Sequence, residues 1–77
     1  MITTTLDKIP LNSSYKIVSI NCSKPLQRRL YDLGLIENTP IKAIFESPFN
    51  DPRAYEVRGY TIALRKEDAS LIVVTSV

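Results

Sequence analysis

Ser23-Lys24-Pro25-Leu26-Gln27-Arg28-Arg29-Leu30-Tyr31-Asp32-Leu33-Gly34 is the one stretch of this chain with a full set of helical signals, and it decides the fold because the segments around it alternate like strands. Ser23 stands where an N-cap belongs, and Pro25 falls in the first turn, where a missing N–H does no harm. Leu26, Leu30 and Leu33 recur at i, i+4 and i+7 and so share one face. Gly34 suits the left-handed position just past a helix end, and Leu35 follows where the terminating motif expects an apolar contact back to Leu30. The expected helix runs from Ser23 to Gly34.

Upstream, Leu6, Ile9 and Leu11 form an apolar lead-in broken by Pro10 and closed by the turn-like Asn12-Ser13-Ser14. Tyr15 to Ile20, rich in β-branched residues, reads as a strand. Downstream, a turn over Ile36 to Pro40 leads into Ile41 to Ser47, where Ile41, Ala43 and Phe45 alternate with Lys42 and Glu46. Pro48 ends that strand because proline cannot donate to a sheet ladder. Pro48 to Arg53 reads as a loop with a turn at Asn50-Asp51. Tyr55 to Val57 is extended again, Gly59 marks a tight turn, and Tyr60 to Arg65 alternates as a strand. Lys66 to Ala69 is a helical turn, and Leu71 to Val74 is the closing strand.

About five strands and one short α-helix, inserted after the first strand, predict a mainly β fold: a small SH3-like β-barrel spanning 1–77 as one domain. Closure would remove the edges that an open sheet of this size exposes. The alternative architecture is an open α+β sheet with the helix on one face.

A chain of 77 residues buries only about two-thirds of the surface its unfolded form exposes, so nearly every apolar residue must serve the core. Function is therefore expected on the surface. Ten Lys and Arg balance eight Asp and Glu, and the adjacent cations are only Arg28-Arg29 and Arg65-Lys66, the latter followed by Glu67 and Asp68. That is no nucleic-acid footprint, which needs clustered positive charge. Cys22 is the only cysteine, so no internal disulfide forms. With no secretory signal, a cytoplasmic location is expected. No run approaches the roughly 20 apolar residues of a membrane helix, so no membrane insertion is expected.

The chain has no histidine, which excludes Ser-His-Asp and Cys-His nucleophilic systems and removes the usual general base. Glycines at 34 and 59 alone cannot build a phosphate-cradling loop. Cys22 reads as a buried thiol at a strand end. Glu46, Asp51 and Glu56 read as solvated charges around the hairpin loop, suited at most to hard cations. No catalytic residue, metal ligand or cofactor is expected. Gly34 and Gly59, with Leu26, Leu30 and Leu33, are structural.

The candidate partner-binding residues are Phe49, Arg53, Arg28 and Arg29. The two helix arginines offer positive charge to an acidic partner, with Arg28 facing Asp32 at i+4. Phe49 sits in a proline-stiffened loop, where it either plugs one end of the barrel or anchors a partner. Arg53 follows, placed to meet an acidic rim.

Arg29-Leu30-Tyr31-Asp32-Leu33-Gly34-Leu35, then Pro40-Ile41, then Ser47-Pro48-Phe49-Asn50-Asp51-Pro52, resemble the ferrous iron transport protein A family (FeoA-like domains). So does Tyr55 to Arg65, followed by Glu67, Ala69 and Leu71 to Val74. The resemblance implies an SH3-like barrel and a non-catalytic cytosolic accessory of bacterial ferrous iron uptake. The implied partner is the membrane iron transporter, through its cytosolic GTP-binding domain. The alternatives are a barrel that binds nucleic acid or weakly senses a divalent transition metal. The chain departs from the family's pattern in having Glu37-Asn38 where Pro-Gly is frequent and Asn12 where glycine is common; asparagine tolerates left-handed backbone, so these turns are expected to survive.

Overall fold

The computed structural model describes residues 2–49 and 51–77. Asn50, half of the expected Asn50-Asp51 turn, lies outside them. Six strands form one antiparallel sheet: β1 (Thr3–Thr5), β2 (Ser14–Ile20), β3 (Pro40–Glu46), β4 (Arg53–Val57), β5 (Tyr60–Leu64) and β6 (Ile72–Ser76). A 3-10 turn at Leu6–Lys8 follows β1, helix α1 (Lys24–Asp32) joins β2 to β3, and helix α2 (Lys66–Ala69) joins β5 to β6.

The helix stop forms as its residues demand. The Gly34 N–H donates to Tyr31 O and the Leu35 N–H to Leu30 O, both at 2.9 Å, with Gly34 at φ +95°. This is the paired-bond termination that left-handed glycine permits. Ser23 occupies the N-cap without a side-chain capping bond, and Pro25 lies in the first turn. Gln27 instead ties the helix start to β2, its Nε2 donating to Ile20 O at 2.7 Å. Asn12 and Asn38 both have positive φ, at 68° and 71°, so asparagine does hold these turns. Arg58 and Gly59, also left-handed, make the two-residue hairpin turn between β4 and β5.

The sheet runs β1-β6-β2-β3-β4-β5, with six strands rather than five and α1 after the second strand rather than the first. The expected closure is also corrected, because the strand order ends at β1 and β5. Side chains rather than a strand ladder bridge from β4 to the 3-10 turn: Tyr55 Oη donates to Leu6 O at 3.3 Å, and Arg53 reaches Asp7 O and Ile9 O. Helix α2 packs on the same turn. Sheet register shifts between Ile17 and Ser19 and between Ala43 and Phe45, leaving Val18 and Ile44 as the extra residues. Such bulges bend a strand. The second one also reverses the alternation, so Phe45, expected beside Ile41 and Ala43, is 59% exposed while those two are buried. The core gathers Leu6, Ile9, Ile17, Leu30, Leu35, Ile41, Tyr55, Val57, Ile72 and Val74.

Candidate protein interface

The β3–β4 loop is held at its base. Asp51 Oδ1 accepts a bond from the Lys66 N–H at 2.8 Å, satisfying one of the free donors at the start of α2. The Asp51 N–H in turn donates to Ser47 Oγ at 2.9 Å, and the Asp51–Pro52 peptide is cis. Two residues before this tether stands Phe49, 90% exposed. The barrel-plug reading of Phe49 is thus excluded, and its aromatic ring stands in solvent.

Arg53 is the opposite case. It is 6% exposed, so the expectation that it meets an acidic rim from the surface is corrected. Its Nη1 and Nη2 donate to Asp7 O at 2.9 Å and Ile9 O at 2.8 Å, and its guanidinium carbon lies 5.7 Å from the Tyr55 ring centroid. Nε lies 3.3 Å from Glu46 Oε1, a charge contact whose geometry falls short of a hydrogen bond. The signal that finds this burial is period-two alternation: Arg53, Tyr55 and Val57 share the inner face of β4, so extending the strand back from Tyr55 places Arg53 inside.

Helix α1 sends its two arginines to different places. Arg28 lies with Lys24, Gln27 and Tyr31 along an open outer depression, and the expected Arg28–Asp32 pair does not form. The only ion pair among the described residues is Arg53–Glu46. Arg29 turns toward β5, where Leu26, Leu33, Ile62, Arg65 and Asp68 help line a groove of about 350 Å³. This corrects the role of Leu33, which at 40% exposed lines that groove rather than the core. Leu30 is buried and Leu26 half-buried. Gly34 sits under the Arg58 side chain, and a Cβ there would lie 2.9 Å from Arg58 Cδ.

The three loop carboxylates work apart: Glu46 faces Arg53, Asp51 caps α2, and Glu56 is exposed. Among the described residues no group of three or more Cys, Asp and Glu side chains is placed to hold a metal ion. The Cys22 thiol is buried at the end of β2, with Sγ 3.6 Å from Asp68 O. Burial pushes its pKa up, and the nearby Asp68 charge adds to the rise. Among the described residues no helix is long and apolar enough to cross a membrane.

A bent antiparallel sheet with one exposed aromatic loop and a groove along one helix-flanked edge is the architecture of a small SH3-like module. The family model described as FeoA domain matches residues 4–76, and the chain belongs to the FeoA domain family. Among solved structures it is similar to the FeoA protein of Chlorobium tepidum, with 24% identity, a TM-score of 0.92, and coverage of 96% of this chain and 70% of that one. It is similar to a FeoA-like protein of Clostridium acetobutylicum, with 28% identity, a TM-score of 0.86, and coverage of 100% and 90%. The zinc-complexed FeoA of Stenotrophomonas maltophilia, presented as a prokaryotic SH3 domain protein and a candidate ferrous iron transport activating factor, shares 27% identity at a TM-score of 0.81, with coverage of 92% and 88%. No curated protein sequence matches the chain.

Proposed function

We propose that this chain is a non-catalytic cytoplasmic accessory of ferrous iron uptake that docks on the cytosolic GTP-binding part of the membrane iron transporter. Family membership supports the pathway. The observation that carries docking is Phe49, 90% exposed on a loop pinned through Asp51 to α2. Large exposed aromatics are favoured anchors at interfaces. Arg28 and Arg29, in no ion pair among the described residues, supply positive charge for an acidic rim, while Arg53 acts by holding β4 against the 3-10 turn.

The test is co-purification from the native cell. The chain, carried as bait through detergent-solubilised membranes, should retain the transporter, and a Phe49→Ala bait should retain much less. Equal recovery with both baits would remove Phe49 from the contact, and recovery of no transporter would remove the docking reading itself.

A further inference from the structure

We infer that the groove between α1 and β5 is a strand-addition site that takes an extended, acidic segment of a protein partner. This deepens the docking reading and rests on it for the partner's identity, but the groove makes its own case. β5 is the last strand of the sheet. Its hairpin closes at Val57↔Tyr60, the hydrogen-bonded pair of a two-residue turn. Bonded and non-bonded pairs alternate from there, so Ile62 and Leu64 bond β4 while Thr61 and Ala63 turn their N–H and C=O groups outward. Among the described residues no backbone partner from outside the sheet reaches either of them. An edge of this kind is a template for a further strand, with backbone bonds giving affinity and side-chain pockets giving specificity.

The groove beside that edge supplies the pockets. Leu26, Leu33 and Ile62 line it, and Leu33 is left 40% exposed. Its charged lining is Arg29 and Arg65 against the single acid Asp68, and none of the three is in an ion pair among the described residues. A segment pairing along the five residues of β5 spans about 17 Å. Alternate side chains would enter the leucine-lined groove, and acidic residues would meet the two arginines. At the C-terminal end of β5 it would reach Lys66, whose N–H is bonded to Asp51 of the β3–β4 loop.

A second copy of this chain is the poorer occupant. Antiparallel self-pairing of β5 centred on Ile62 sets Arg58 against Lys66 of the other copy at each end, opposing like charges. An acidic segment meets the same ends favourably.

The experiment follows backbone amide shifts of the full chain on titration with a capped hexapeptide of alternating Glu and Val, and with its Lys and Val counterpart. Saturable shifts at Thr61, Ala63 and Arg65 are expected with the acidic peptide, and binding about tenfold weaker or less with the basic one. Ala63→Pro removes one outward N–H, and Leu33→Glu puts a negative charge in the groove. Each should weaken the acidic peptide about fivefold or more, by lost backbone bonding or like charge. If Ala63→Pro fails to fold, Leu33→Glu, at an exposed site, carries the test. Equal response to both peptides, no shift at these amides up to millimolar peptide, or dilution-dependent shifts there from self-association would each overturn the inference. The same titration with the transporter's cytosolic domain separates the two readings. Binding of that domain without change at β5 sinks the strand-addition site and leaves docking standing. No binding of the domain, with the peptide still engaging β5, does the reverse.

Discussion

Replacing Arg53 by alanine should unfold much of this domain's stability margin, although a surface arginine would cost almost nothing. Arg53 is 6% exposed and bonds two main-chain carbonyls, Asp7 O and Ile9 O, at 2.9 and 2.8 Å. Hydrogen bonds from a charged donor contribute about 1.5–3 kcal/mol each, and a buried acceptor left empty loses that and its hydration. The contact with Glu46, whose side chain is 36% exposed, adds under about 1 kcal/mol because solvent screens it. Against these, removing a buried cation relieves its desolvation penalty. The net expectation is a loss of about 3 kcal/mol, which in a domain of this size lowers the thermal midpoint by about 12–24 °C. Arg53→Lys, with one compact ammonium for two carbonyls, should fall between. Thermal unfolding followed by circular dichroism reads this directly. An Arg53→Ala midpoint within about 3 °C of wild type would refute the claim that Arg53 replaces strand closure between β4 and the 3-10 turn.

Three further outcomes are expected. Gly34→Ala forces a Cβ onto φ +95° and to 2.9 Å from Arg58 Cδ, so denaturant titration should show a loss of about 1 kcal/mol or more. Asp51→Ala removes the bond to the Lys66 N–H and should cost about 1 kcal/mol, with faster hydrogen exchange at the Lys66 amide. Stability should also fall in alkali. Burial raises the Tyr55 hydroxyl above its ordinary 10.0, partly offset by Arg53, and burial then Asp68 raise the Cys22 thiol above 9.0. Both groups keep their protons longer folded than unfolded, so stability is full below the unfolded values and declines as pH rises past 9 and then 10; Cys22→Ala should remove the earlier part of the decline in a pH series of midpoints.

The helix and its stop were legible because each signal is local: a proline in the first turn, leucines at helical spacing, and Gly34 at the end. The two asparagine turns were legible for the same reason. What sequence reading missed depends on pairing. β1 is three threonines, Thr3–Thr5, with no apolar alternation, and it becomes a strand only because β6 lies beside it. Phe45 reads as inward by alternation until the bulge at Ile44 turns it out. Arg53 reads as a surface residue because charge usually means surface, and only the carbonyls of a distant turn make its burial tolerable. Of the candidate site residues, Arg28 and Arg29 stand exposed, and Phe49, which the sequence left between plug and anchor, is exposed too. Leu33 and the free edge of β5 emerge only once the sheet order is known.

The most direct test of the central claim is calorimetric titration of the purified chain into the transporter's cytosolic GTP-binding domain, run with wild type and Phe49→Ala side by side. The account predicts measurable binding by wild type. It predicts a loss of about 2 kcal/mol, roughly thirtyfold in Kd, for the variant, whose own stability stays within about 0.5 kcal/mol because the ring is in solvent. No binding by the well-folded wild-type chain would contradict the account.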